Sequence, residues 1–346
     1  FPALFQIIHE NVNIDKAQRQ QAALAIRICL RNSWEELDQQ NKGVIQQQIL
    51  QLLSNETVFL IAKNVIESCE LIFERDGRNW PELFQYIQSE TPNELQLLIK
   101  MYLVTNIMKP LDDENHIAQQ YFPLFDSLFA AARQTQNPEI IAAGCEMMGV
   151  VISFITPDGI QMCQPHLQFL MEYFRGLVPT SSSQDQNFQK VQYGFADALE
   201  CDVLPIPTPT VVEFLIGMLQ SPETPKEQYA SIFVVFQYLI KFHSEDLSEN
   251  IDDILNILLM SGAATADIEE QSLANQDSDS VLLIAEIAGD FAGELQDPYF
   301  LKHLFNLAPK GDALTPSSLY SFSMILYNVI DESLDEVSHD IKPVVE

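Results

Sequence analysis

Apolar side chains at Val58, Ile61, Val65, Cys69 and Ile72 recur at steps of three and four, which gathers them on one face of a helix. That segment, VFLIAKNVIESCELIF, follows a first helical pattern (QQQILQLL) after Asn41, breaks at Asp76-Gly77 and restarts at Asn79-Trp80-Pro81 with WPELFQYI. Proline in a first helical turn loses no hydrogen bond, because the missing N–H has no intrahelical acceptor there. The same helix–turn–helix unit recurs along almost the whole chain. Further second helices are predicted to begin near Lys16, Pro92, Pro138, Asp185, Pro225, Asp277 and Pro316, at intervals of roughly 36 to 52 residues, the period of HEAT or armadillo units. Helix-breaking segments separate them: Lys109-Pro110, Thr156-Pro157-Asp158-Gly159, Pro179 to Ser183, the Pro205/Pro207/Pro209 run and Pro309-Lys310-Gly311. No stretch alternates as a strand would. The expected fold is all-α: a single α-solenoid over residues 1–346, a right-handed superhelix of about eight HEAT-like helix pairs.

Composition adds one strong bias. The net charge is −31, from 18 basic against 49 acidic side chains, so the surface repels nucleic acid and anionic membrane and favours basic partners. The bias sharpens along the chain, since no Arg follows Arg175 and carboxylates accumulate from Glu245 onward. Because 47% of the residues are apolar, the chain has a long core and is no disordered acidic tail. No apolar run approaches the ~20 residues that cross a bilayer, and FPALFQII lacks the basic flank and cleavage site of a signal peptide. A soluble chain is expected. Cys29, Cys69, Cys145, Cys163 and Cys201 are scattered, odd in number and mostly on apolar helix faces, which suits reduced thiols in a cytosolic or nuclear protein. The sequon Asn55-Glu56-Thr57 is then a chance match.

Catalytic and metal chemistry find little support. Cys163-Gln164-Pro165-His166 supplies one half of a metal site with no second pair nearby, whereas tetrahedral zinc needs four convergent ligands. Asp277 and Asp279 begin like a calcium loop, but the central glycine is missing and Ala288 stands where a bidentate carboxylate belongs. No glycine-rich phosphate loop or nucleophile elbow occurs. The chain reads as a binding protein rather than an enzyme, with no cofactor and no metal expected.

Carboxylate spacing is the most informative chemistry. Glu286, Asp290 and Glu294 recur every four residues, and Asp279 lies seven before Glu286, so all four share one side of a helix. Gly289 and Gly293 alongside them leave little side-chain cover, which invites close approach of a partner's backbone or a long Lys. A second stripe holds Glu67, Glu70 and Glu74, with Lys63 one turn earlier to pair with Glu67. Residues 263–280, AATADIEEQSLANQDSDS, are predicted to form a long acidic loop within the seventh repeat, carrying Asp267, Glu269, Glu270, Asp277 and Asp279. Exposed ion pairs contribute only about 0–1 kcal/mol each, so affinity for a basic ligand requires many in parallel over an extended groove.

Two motifs resemble a known family. Arg19-Gln20-Gln21-Ala22-Ala23-Leu24-Ala25-Ile26-Arg27 through Leu30, followed by Trp34-Glu35-Glu36, is similar to the first-repeat helix of importin-β superfamily receptors. The run ERDGRNWPELFQYI, Glu74 to Ile87, resembles the acidic-Gly-x-x-Trp-Pro-Glu turn of the importin-5 and importin-4 branch, and the acidic segment before Asp279 is similar in placement to one in that branch. The specific likeness covers the first ninety residues or so, and the rest matches as generic HEAT sequence.

The resemblance implies a monomeric nuclear transport receptor shuttling between cytoplasm and nucleus. Basic cargo would lie on an acidic concave face, against Asp279, Glu286, Asp290 and Glu294, near the acidic loop residues Asp267, Glu269, Glu270 and Asp277. The GTP-bound form of the Ran GTPase would meet Arg27, Glu35, Glu36, Glu67, Glu70, Glu74 and Lys100 and release the cargo. Phe-Gly nucleoporins would dock between outer helices near Phe169, Tyr173, Phe214, Leu215, Met218 and Leu258. Receptors of this family are far longer, and the pair holding Tyr320, Phe322, Ile325, Leu326 and Tyr327 leads into SLDEVSHDIKPVVE without a polar capping repeat, so further C-terminal repeats are expected. The rival reading is a static HEAT scaffold of another multiprotein complex.

Overall fold

The computed structural model describes residues 1–9, 14–109, 116–271, 279–295 and 300–337. The chain divides into two compact units, Phe1–Thr156 and Pro157–Glu346. Among the described residues there are sixteen α-helices and no strand. The fold is all-α, an α-solenoid of HEAT-like pairs.

The first unit contains α1 (Pro2–His9), α2 (Lys16–Ser33), α3 (Gln39–Asn55), α4 (Phe59–Arg75), α5 (Pro81–Gln88), α6 (Glu94–Met108), α7 (Ile117–Gln134) and α8 (Pro138–Ser153). Local chemistry sets the helix starts. Asp38 caps α3 by accepting from Asn41 N at 2.8 Å, Asn93 caps α6 through Gln96 N at 2.9 Å, and Asn137 caps α8 through Glu139 N at 3.1 Å. The second helices α2, α4, α6 and α8 pack side by side in that order, with α1 on α2, α3 on α4 and α7 on α8. Gly144 lets α8 settle on α7, since a Cβ there would stand 3.0 Å from Ala132 Cβ and 3.2 Å from Phe129 Cδ2. Phe84 of α5 stacks on Tyr121 of α7 with ring centroids 3.8 Å apart.

The turn from α4 to α5 explains why Asp76 to Pro81 form a recognisable motif. Gly77 and Arg78 both take positive φ, +64° and +63°, which Gly tolerates freely and Arg only when the surroundings hold it. Arg78 N then donates to Phe73 O at 2.8 Å, closing the helix end. The Asp76 carboxylate accepts from Trp34 Nε1 and Gln46 Nε2, both at 2.9 Å, while Lys42 Nζ lies 3.4 Å from it and 5.1 Å from the Trp34 ring centre. Trp34 and Trp80 are both buried.

The second unit contains α9 (Gln164–Leu177), α10 (Gln186–Asp197), α11 (Thr208–Gln220), α12 (Tyr229–His243), α13 (Ile251–Gln271), α14 (Asp279–Leu295), α15 (Phe300–Asn306) and α16 (Pro316–Val337). Its second helices α10, α12, α14 and α16 again pack in sequence. Asp185 caps α10 through Asn187 N at 2.8 Å, and Phe174 of α9 packs on Phe188 and Phe195 of α10 at 5.6 and 5.8 Å. Gly262 admits α16 against α13, because a Cβ there would fall 2.2 Å from Ser321 Oγ.

One expected element is different. Residues 263–271, read from composition as the start of an acidic loop, continue α13 to Gln271. Ala263, Ala264 and Ala266 favour helix, Thr265 Oγ1 donates to Ser261 O at 2.8 Å, and no Gly or Pro interrupts the run. The remainder of that segment, including Asp277, lies outside the described residues, whereas Asp279 already belongs to α14.

Candidate binding surfaces

In the first unit the charged positions of α2 and α4 converge. Arg27 Nη1 meets Glu67 Oε2 at 2.5 Å, and both side chains remain partly exposed. Glu70, one turn on, is half-buried. Desolvation pushes its carboxyl above the ordinary range, Glu74 and Glu67 add to that rise, and Arg27 and Lys109 oppose it. Lys109 Nζ in turn lies 3.7 Å from Glu146 of α8. Glu74 is exposed, as are Glu35 and Glu36 on the 3₁₀ turn Trp34–Glu36 after α2. Lys63 does not serve Glu67 as its spacing suggested: it sits 5.5 Å above the Tyr102 ring, which Phe59 meets edge-on at 5.6 Å.

Lys100 leaves this surface altogether. It is 1% exposed, and its Nζ donates to Ser89 O at 2.6 Å, Ser89 Oγ and Glu90 O at 3.2 Å, and Thr91 Oγ1 at 3.3 Å. The ammonium satisfies chain atoms beyond the C-terminal end of α5, where helix carbonyls favour a cation. Burial lowers its pKa to about 8. A partner cannot reach it, so Lys100 is structural.

In the second unit, α14 presents Glu286 and Glu294 exposed, with Asp290 between them half-buried and accepting from Gln237 Nε2 of α12 at 2.9 Å. The backbone of Asp279 is at the start of the same helix. Gly289 is buried and Gly293 half-buried, so Gly289 gives a partner no open approach. Of the acidic positions on α13, Asp267, Glu269 and Glu270 are placed by their helical backbone alone.

The aromatic candidates separate into two groups. Phe169 and Tyr173 stack on one another along α9 at 5.6 Å and stay partly exposed. Phe214 of α11 is also partly exposed, edge-on to Phe195 at 6.2 Å and with the Arg175 guanidinium 5.7 Å from its ring centre. Leu215, Met218 and Leu258, at 0%, 4% and 0% exposure, are core residues facing neighbouring helices. Apolar residues at helical spacing bury against their own layer, and these three cannot line an open cleft.

Sequence reasoning did not anticipate two features. One is the buried Arg19–Glu56 pair at 2.6 Å. The other is the groove beside the Pro205/Pro207/Pro209 run, which the sequence marks only as punctuation. Among the described residues no group of His, Cys, Asp and Glu is placed to hold a metal ion, and no helix is long and apolar enough to cross a membrane. All five cysteines are free thiols; burial raises the pKa of Cys163 and Cys201 to about 12.

No protein-family model matches the chain. It is 21% identical over 312 residues to importin-4 of Mus musculus, a match that takes in 86% of the chain and 28% of importin-4. Its fold is similar to the crystal structure of Kap121p, with a TM-score of 0.66 at 11% identity over 98% of the chain and 34% of Kap121p. It is equally similar to Kap121p bound to the extreme C-terminus of the protein phosphatase Cdc14p, at a TM-score of 0.66 and 12% identity over 97% of the chain. The chain thus spans between 28% and 34% of the length of these relatives.

Proposed function

We propose that the chain is a HEAT-repeat region of an importin-β superfamily nuclear transport receptor. In this reading it takes basic cargo on its acidic second-helix layer and yields it to Ran-GTP. The observation that carries the reading is Glu286 and Glu294 exposed two turns apart on α14 with Asp290 between them, within a chain of net charge −31. A cationic segment lying along this helix would gain several charge contacts at once, which compensates for the small value of each. The side chains of Asp279, Asp267, Glu269, Glu270 and Asp277 extend the same acidic character in sequence.

Ran-GTP is assigned to the α2–α4 surface: Arg27, Glu67, Glu70 and Glu74, with Glu35 and Glu36 at its margin. The paired Arg27 and Glu67 give both signs of charge for a partner of mixed polarity. Phe-Gly repeats are assigned to the partly exposed rings of Phe169, Tyr173 and Phe214, which offer flat apolar surface on first helices. Cargo would load in the cytoplasm and Ran-GTP release it in the nucleus, which requires the two to oppose one another by a reciprocal coupling free energy.

The test is binding of the chain to Ran loaded with a non-hydrolysable GTP analogue and, in parallel, with GDP. A strong preference for the GTP form supports a transport receptor. Equal or absent binding by a folded, helical sample would reject the Ran assignment and favour a static HEAT scaffold.

A further inference from the structure

The second unit holds an open groove of about 1030 Å³ that lies apart from the helix faces assigned above. One wall is the connection from α10 to α11, with Asp202, Val203, Pro205 and Pro207, continued by Pro209 in the first turn of α11. The other is the end of α12 and the 3₁₀ turn Ser244–Asn250, with Phe242, Glu245 and Asp246. Thr208 Oγ1 donates to Asp246 Oδ2 at 3.0 Å and His243 Nε2 lies 2.9 Å from Leu199 O. These two bonds tie the walls together, so the groove is built rather than left between loose loops.

Its chemistry is lopsided. Three carboxylates line it, those of Asp202, Glu245 and Asp246, all exposed, and no Lys or Arg is among the lining residues. The three prolines offer no N–H donor, and Gln161, Gln164 and Ser244 add neutral polar groups to the lining. His243 is buried, and burial lowers its pKa, so the ring is neutral at neutral pH and adds no compensating charge. Lys241 lies outside the lining, over the Phe242 ring at 5.2 Å. Within the same groove Val203 and Phe242 expose apolar surface, at 47% and 39%.

A groove lined by three carboxylates and by no Lys or Arg selects a cationic ligand. Its volume is at the upper end of the ~300–1,000 Å³ that holds a drug-sized ligand, enough for several residues of an extended peptide. A metal ion is a poor occupant, since no tight group of metal-ligating side chains occurs among the described residues. We propose that this groove is a docking site for an extended peptide segment that carries arginine or lysine on both sides of an aliphatic residue. The cations pair with Asp202, Glu245 and Asp246, and the aliphatic side chain lies against Val203 and Phe242. The prolines, fixed in φ before binding, reduce the ordering cost on the protein side. The site stands on the connecting segments and does not rest on the transport reading.

The probe is a fluorescent decapeptide with two arginines flanking a leucine, titrated by anisotropy into the chain at about 150 mM salt, where long-range attraction is screened. A Glu286→Gln/Glu294→Gln background removes the α14 carboxylates from competition. Saturable binding is expected, weakened about tenfold or more by Asp202→Asn/Glu245→Gln, consistent with losing two charged contacts. Glu82→Gln/Glu139→Gln, which removes the same charge from exposed positions elsewhere, should leave binding within about twofold. A probe with glycine in place of leucine, or the variant Phe242→Ala, should also weaken it, while Phe242→Leu retains most of the affinity. Circular dichroism verifies that each variant is folded. The proposal is overturned by absence of saturable binding, by equal loss in both charge-neutralised pairs, or by indifference to the leucine and to Phe242→Ala.

Discussion

Arg19 and Glu56 meet at 2.6 Å with side chains only 4% and 2% exposed, and each is also tied to backbone. Arg19 Nε donates to Ile8 O at 2.9 Å, while Glu56 Oε1 accepts from Thr57 N at 2.8 Å and Val58 N at 2.9 Å. One ion pair therefore joins the end of α1, the first turn of α2 and the entry to α4, satisfying N–H groups that the helix start leaves without partners. Arg19 opens the motif that resembles the first-repeat helix of importin-β superfamily receptors, and its role here is to hold the first pairs in register.

Removing one member of a buried pair leaves the other charge uncompensated, which typically costs about 3–5 kcal/mol. Arg19→Met should therefore lower the urea stability of the chain by that order. Adding Glu56→Gln to it should cost less than the sum of the two single changes, because the amide can still accept from Thr57 and Val58. A loss below about 1 kcal/mol for Arg19→Met would assign the stability of this region to apolar packing alone.

Lys100 yields a prediction in pH. An unfolded Lys titrates near 10.4, and burial brings the folded group down to about 8. Between those values the unfolded chain holds a proton that the folded chain has lost, so this group's contribution to stability rises with pH; below about 8 both states are charged and the burial penalty is full. Lys100→Met removes the titration. The stability of the parent minus that of the variant should rise from about pH 8 to 10 with a slope of up to about 1.4 kcal/mol per pH unit. The buried thiols and Tyr86, which burial shifts upward, act in the opposite sense but are common to both proteins and cancel to first order. A flat or falling difference would mean that the four oxygens around Nζ fully replace its hydration.

What was legible in the sequence is what local chemistry decides. Proline at the first turn of α5 and α8, and Asp or Asn caps on α3, α6, α8 and α10, mark helix starts without reference to the rest of the chain. The repeat and the all-α fold followed from them, and the turn from Asp76 to Pro81 pointed to the branch that includes importin-4. Lys100 was not legible, because its partners are mostly carbonyls and hydroxyls of Ser89, Glu90 and Thr91, which carry no charge pattern. The extension of α13 was hidden by its acidic composition, although Ala263, Ala264 and Ala266 favoured helix. Leu215, Met218 and Leu258 show that helical spacing of apolar residues identifies a buried face more readily than an open cleft.

The acidic face of α14 gives the most direct functional prediction. Glu286 and Glu294 are eight residues apart, hence about 12 Å along the helix, a span that a cationic segment of a few residues covers. Asp290 between them is engaged with Gln237 at 2.9 Å, so the two exposed glutamates offer the freer charges. At about 0.2–1 kcal/mol per exposed contact, Glu286→Gln/Glu294→Gln should weaken a basic cargo peptide by roughly two- to thirtyfold, and the difference should shrink as salt rises. Asp290→Asn should have the smaller effect of the three, since its carbonyl oxygen can keep the hydrogen bond from Gln237. Charge reversal to Lys at Glu286 and Glu294 adds repulsion and should exceed the neutral change. Isothermal titration across a salt series measures all three variants. If the doubly neutral protein binds as tightly as the parent at every salt concentration, α14 is a solvated face and cargo is held elsewhere.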